Sequence, residues 1–139
     1  MKASLFRVSL LLVMLSGAGS ALAQTSGPSS SSAPYVLAYP GGANVSTVSV
    51  ITTGDSVNML PDGVTPYRFG GIPDGMGAFD NGDGTFTVLV NHELGSTSGR
   101  VRDHGGRGAY VSKWVINSTT LQVLHGEDLI KIAFVWNGS

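Results

Sequence analysis

The 139-residue chain contains no cysteine, which excludes a disulfide framework and leaves stability to a core, a metal or a partner. Charge is sparse, with Asp, Glu, Lys and Arg at 12%. The basic side chains form no stripe, so the electrostatic footprint of a nucleic-acid binder is missing. So is the Lys/Arg cluster that holds an anionic membrane. The sequence has no G-x-S-x-G elbow, no H-E-x-x-H pair and no phosphate loop. Helical periodicity with capping signals is missing beyond the first two dozen residues.

What is there begins with an export signal. Lys2 and Arg7 form a positive start, residues 8–15 form the largely apolar middle region, and Ala21-Leu22-Ala23 is an A-x-A cleavage site. The apolar run is shorter than the ~20 residues a bilayer span needs, so residues 1–23 are read as a cleaved signal peptide and the mature chain, starting at Gln24, has no membrane span. That places the protein outside the cell or in a bacterial periplasm. Of the 8 Lys and Arg, loss of Lys2 and Arg7 leaves six against 9 Asp and Glu, a net charge of −3. Residues 24–34, QTSGPSSSSAP, are expected to be a disordered Ser/Pro linker, because they cannot bury enough apolar surface to offset their ordering entropy. The folded part is expected over residues 35–139.

That part reads as all-β. Strands are expected at residues 45–53 (VSTVSVITT), 67–69, 76–79, 85–90, 110–116, 121–124 and 129–136, from their β-branched and aromatic content. Many of the 20 glycines fall in pairs between them, as turn punctuation. Asp80-Asn81-Gly82-Asp83-Gly84 is a hairpin loop whose glycines can take positive φ. A calcium loop is the alternative there, but the EF-hand spacing is absent. The four strands from residue 76 to residue 124 form an antiparallel meander of about 49 residues, the length of one propeller blade; a sheet of a sandwich or open barrel has the same spacing. Asn137-Gly138 is a hairpin signal with no return strand after it, which suggests a piece of a longer protein; a frayed end of a complete small domain is the other reading.

The chemistry-bearing residues cluster at the exit of the strongest strand, in Asn91-His92-Glu93. Glu93 is the leading metal-ligand candidate, since carboxylates suit hard cations; a solvated strand-end glutamate is the alternative. Alternation puts His92 on the opposite face, in packing. Asp74, in Pro73-Asp74-Gly75, is either a turn residue bonding its own backbone or a second ligand at the same end of the sheet. Arg100, Arg102, Asp103, His104 and Arg107 form a Gly-rich loop that could grip an anion or simply pair Arg with Asp. No catalytic residue can be named from the pattern.

The segments IPDGMGAFDNGDGTFTVLVNHEL, RVRDHGGRGAYVSKWVIN and LQVLHGEDLI together resemble the PhoX-like family, bacterial secreted alkaline phosphatases and uncharacterised relatives, over about residues 35–139. The resemblance implies a β-propeller with an embedded metal cluster of calcium and iron, a phosphate-ester substrate and metal-assisted hydrolysis, with Glu93, and less strongly Asp74, turned to the metals. The family's phosphatases also use a cysteine ligand to iron, which this chain lacks, and carboxylates from later blades. A propeller has at least four blades, so this chain would supply an N-terminal, incomplete propeller: inactive alone, without a complete metal set, and inclined to self-associate through open sheet edges. A non-catalytic secreted or cell-surface β-propeller binding module is the competing reading.

Overall fold

The computed structural model describes residues 24–36 and 45–138. Among them there is no helix. Eight strands follow in order: β1 (Gln24–Ser26), β2 (Thr47–Ser49), β3 (Ser56–Met59), β4 (Pro66–Arg68), β5 (Pro73–Asp80), β6 (Thr85–His92), β7 (Tyr110–Asn117) and β8 (Val123–Asp128). They form a four-stranded antiparallel meander β5-β6-β7-β8, an antiparallel pair β3-β4, and a pair β1-β2 that is parallel rather than antiparallel. The all-β expectation and the meander therefore stand, with no closed barrel or propeller ring among the described residues. The proposed signal peptide lies outside them.

The meander starts from its loop. Gly82 and Gly84 take φ of 76° and 82°, backbone that a side chain disfavours. Asp80 accepts the Gly82 N–H at 2.9 Å, and Asp83 accepts the Thr85 N–H at 3.0 Å. The loop's carboxylates thus serve its own backbone, as in an ordinary Asx-type turn. From there β6 pairs with β5 on one side and with β7 on the other. Register places Val90 beside Met76 and Ser112, and Trp114 between Val88 and Gly126, so one face collects the large apolar side chains.

That face is covered by β3, β4 and the segment before them. Tyr67, Phe69, Val90, Trp114, Ile116 and Val123 are buried together, with Val50, Ile51, Val57 and Leu60 packed around them. The Tyr67 and Phe69 rings each lie 5.4 Å from the Trp114 ring, tilted against it. Trp114 is the centre of this core; truncating such a residue to alanine typically costs about 3–5 kcal/mol. The Asn58 side chain completes the second layer, accepting the Gly126 N–H at 2.8 Å and donating to its carbonyl at 3.1 Å. β3 thereby lies along the outer side of β8.

Four expectations are corrected. Residues 24–34 are not featureless: β1 lies here, Ser30 and Thr52 share a 2.7 Å hydroxyl bond, and Ser29 Oγ accepts the Val123 N–H at 3.0 Å. Small hydroxyl side chains supply enough hydrogen bonds to order a segment that has little apolar surface. The strand expected over residues 45–53 shrinks to β2, because Val50 and Ile51 leave the ladder to cover the core and Asp55 caps a turn by accepting the Thr52 N–H. β8 starts two residues later than expected, since Leu121 takes a positive φ of 58° in the turn that Asn117 closes. Residues 129–136 form no strand: β3 occupies the side of β8 that they would need.

Candidate functional site

Asp74 and Glu93 sit at one end of the β5–β6 hairpin. Pro73 faces His92 across the ladder, and the Glu93 N–H donates to the Ile72 carbonyl at 3.0 Å. Between Pro73 and Met76 the register slips, so Asp74 and Gly75 together face Asn91. Such a bulge re-aims the side chains of its strand. Ile72, just before it, has φ of 50°, a rare backbone for a β-branched residue and of a kind that concentrates at functional sites. Alternation along β6 buries His92 and leaves Asn91 and Glu93 exposed on the other face.

The two carboxylates differ from the rest of the nine in the chain. Asp55, Asp62, Asp80 and Asp83 accept backbone N–H groups of their own turns. Asp103 and Glu127 pair with Lys131, Glu127 also with Lys113, and Asp128 is buried in a cluster of donors. Asp74 and Glu93 alone have no partner among the described residues. Exposed oxygen donors of this kind fit a hard cation such as calcium. The chain has no cysteine that could add a thiolate to them. No group of three His, Asp or Glu side chains among the described residues is close enough to hold an ion, so Asp74 and Glu93 are at most part of a ligand set.

Behind this end of the hairpin runs a buried polar chain. His92 Nδ1 lies 3.2 Å from the Gly71 carbonyl, and Nε2 lies 2.8 Å from Ser112 Oγ, which accepts the Trp114 indole N–H at 2.7 Å. A carbonyl can only accept, so Nδ1 carries the proton and Nε2 accepts the Ser112 hydroxyl. Burial, with the Arg102 cation nearby, holds His92 below the usual histidine range despite the Gly71 bond. The neutral imidazole stacks on Tyr110, 4.2 Å away and 6° from parallel. The Arg102 guanidinium lies 3.2 Å over the Tyr110 ring and reaches Asp128 at 3.3 Å. Asp128 also accepts Arg100 at 3.0 Å, the Asp103 N–H at 3.0 Å and the Tyr67 hydroxyl at 2.8 Å. Burial and the bond to Asp128 push the Tyr67 phenol far up.

A serine next to a histidine suggests nucleophilic chemistry. Here Ser112 has no exposed surface, and its hydroxyl is already used as donor and acceptor. The pair is structural, as alternation implies for His92. The arginine loop is likewise internal: Arg100 and Arg102 converge on Asp128, and Arg107 donates to the Gly99 carbonyl. His104 Nδ1 accepts the Gly106 N–H at 3.2 Å. Sequence reasoning missed Asp128 as the hub. The only local signal was a carboxylate set directly before the apolar residues Leu129 and Ile130. No protein-family model matches this chain, and searches of the curated proteins and of the solved structures return no match.

Proposed function

We propose that this chain is the N-terminal, β-sheet portion of an exported PhoX-like protein in which Asp74 and Glu93 help to hold a hard divalent cation for phosphate-ester hydrolysis. The carrying observation is that these two, of all the carboxylates, stand exposed and without partners at a bulged, strained end of the central hairpin. Asp74 and Glu93 would bind calcium through their oxygens, with Asn91 offering an amide oxygen on the same face of β6 as Glu93. The remaining ligands, in this reading, come from segments outside this sequence that complete a propeller. A cation held there would neutralise phosphoryl oxygens and activate an oxygen nucleophile. The chain's own part is to fix its two carboxylates in place: the Glu93–Ile72 bond and the bulge aim them, and the His92 block behind keeps the hairpin end rigid.

The second reading is a secreted or cell-surface binding module without catalysis. The seclusion of Ser112 and His92, a nucleophile–base pair used up inside the core, favours it. The deciding assay is p-nitrophenyl phosphate hydrolysis by the full-length protein with calcium and iron supplied, alongside Asp74→Asn and Glu93→Gln. The hydrolase reading expects metal-dependent turnover that drops at least tenfold in Glu93→Gln. Absence of metal-dependent turnover leaves the binding module.

A further inference from the structure

The turn that joins β5 to β6 carries two pairs with a chemistry of their own, Asn81-Gly82 and Asp83-Gly84. In an Asn-Gly pair the next backbone nitrogen can close a five-membered ring on the side-chain carboxamide, and glycine has no Cβ to screen it. Once the Gly82 N–H gives up its proton, the nitrogen attacks Asn81 Cγ as an intramolecular nucleophile. The N–Cγ bond forms, the Cγ–Nδ2 bond breaks, and Nδ2 leaves with that proton as ammonia. The cyclic succinimide then takes up one water. Opening at one carbonyl gives aspartate; opening at the other gives isoaspartate, whose main chain runs through Cβ and Cγ. No oxidant, metal or cofactor enters the balance.

Asn81 and Gly82 are exposed, so water and base reach them. Yet the turn holds the groups that ring closure must move. Asn81 Nδ2 donates to Thr85 Oγ1 at 2.8 Å, and Asn81 Oδ1 accepts the Thr87 hydroxyl at 3.0 Å. Thr87 is itself buried, which fixes one end of the carboxamide on the sheet. The Gly82 N–H donates to Asp80 Oδ1 at 2.9 Å, and a carboxylate there opposes a second negative charge on the nitrogen. The Asn81 N–H donates to the Thr85 carbonyl at 3.1 Å and keeps the turn shut. Closing the ring breaks both threonine bonds and turns Gly82 away from Asp80. Asp83-Gly84 has the same spacing but needs a neutral carboxyl to react. The Thr85 hydroxyl and N–H, at 2.5 and 3.0 Å, hold Asp83 below the ordinary carboxylate range, and an ionised carboxylate resists attack by an amide nitrogen.

We propose that Asn81-Gly82 is a self-modifying site gated by its own turn: inert while Thr85 and Thr87 hold the Asn81 carboxamide, and converted to aspartate or isoaspartate when the turn opens. The product does not close again as before. Isoaspartate adds a carbon to the main chain of the turn, and either product replaces the donor to Thr85 with a carboxylate beside Asp80 and Asp83. Each conversion therefore records an opening of the hairpin in covalent form. Nothing in this depends on the metal reading of Asp74 and Glu93.

Peptide mapping by mass spectrometry, on the purified chain kept in mildly alkaline buffer, tests it. The map reads the Asn-to-Asp mass gain at residue 81 and separates it from Asn137-Gly138, the other Asn-Gly pair; fragmentation tells isoaspartate from aspartate. The folded chain should convert Asn81 at least about tenfold more slowly than the same chain unfolded in guanidinium chloride, as expected of a reaction that waits for local opening. Thr85→Val and Thr87→Val each remove one hydroxyl at similar shape. Each should raise conversion in the folded chain at least about threefold, with the near-UV signal of buried Trp114 showing that the sheet is intact. Asn81→Gln, whose ring would be larger, should lose the mass gain. If neither threonine variant folds, the comparison of folded with unfolded parent decides alone. Equal rates in the folded and unfolded parent would overturn the proposal. So would folded threonine variants that convert no faster than the parent, or an unfolded chain in which Asn81 persists.

Discussion

The Tyr67 hydroxyl donates to Asp128 Oδ1 at 2.8 Å, joining β4 to β8 across 61 residues of chain. Both groups are almost fully buried. The same carboxylate takes Arg100, Arg102 and the Asp103 N–H, so one side chain ties the covering layer, the arginine loop and the meander together. A buried carboxylate is tolerable only when its lone pairs are filled in this way.

Asp128→Ala should therefore destabilise the fold by about 3–5 kcal/mol, since it leaves the buried Arg102 cation without its partner. Tyr67→Phe removes only one neutral donor among several and should cost about 1 kcal/mol. Urea unfolding followed by tryptophan emission measures both. Equal losses in the two variants would show that the charge of Arg102 is not what Asp128 serves.

His92 sets an acid limit. Its folded-state pKa lies below the ordinary value of 6.5, so the unfolded chain binds a proton that the folded chain refuses. Stability from the neutral ring is fully present above about pH 6.5 and declines as pH falls through that value toward the lower folded pKa. Arg102 opposes protonation, whereas Asp128 favours it. The lowered carboxylates Asp55 and Glu127 lose stability only in the more acid carboxylate range. His92→Gln keeps an acceptor for Ser112 without the titration. Its melting temperature should change less than the parent's between about pH 7 and pH 5; parallel profiles would remove His92 as the cause.

How much of this was legible follows from how local each signal is. The run TFTVLVNH is β-prone at almost every position, and the glycines beside Asp80 and Asp83 announce the turn before it, so β5, β6 and β7 could be read within a few residues. The fate of His92 followed from period-two alternation alone. Asp128 could not be read that way, because its partners Tyr67 and Arg102 are 61 and 26 residues away and no local pattern encodes such pairings. Residues 129–136 have a strand's composition, but a strand also needs a free edge, and β3 already lies along β8. Asp74 and Glu93 were legible as residue types; only the completed set of carboxylate partners shows that these two are left over.

Gly126 faces Trp114 across β7 and β8, and a methyl group there would overlap the indole ring. The ring cannot withdraw, because its N–H is held by Ser112 and Tyr67 and Phe69 pack against it. Gly126→Ala should then cost about 1–3 kcal/mol through overpacking and reduce the near-UV signal of Trp114. An unchanged signal with full stability would mean that the strands can separate at this point without loss.

Asp74 and Glu93 offer the sharpest contrast with these core positions. With no partner to lose, Asp74→Asn and Glu93→Gln should leave stability within about 0.5 kcal/mol of the parent. Ile72 is different: its positive φ holds strain, and Ile72→Gly should relieve some of it at an exposed position, with a net change of about 1 kcal/mol in either direction once the added unfolded-chain entropy opposes the gain. Urea unfolding measures all three, before any assay of metal dependence. Unchanged stability in the two carboxylate variants assigns a later loss of metal dependence to the ligands rather than to unfolding. A loss above 2 kcal/mol in either would place that carboxylate in the fold and remove it from the metal reading.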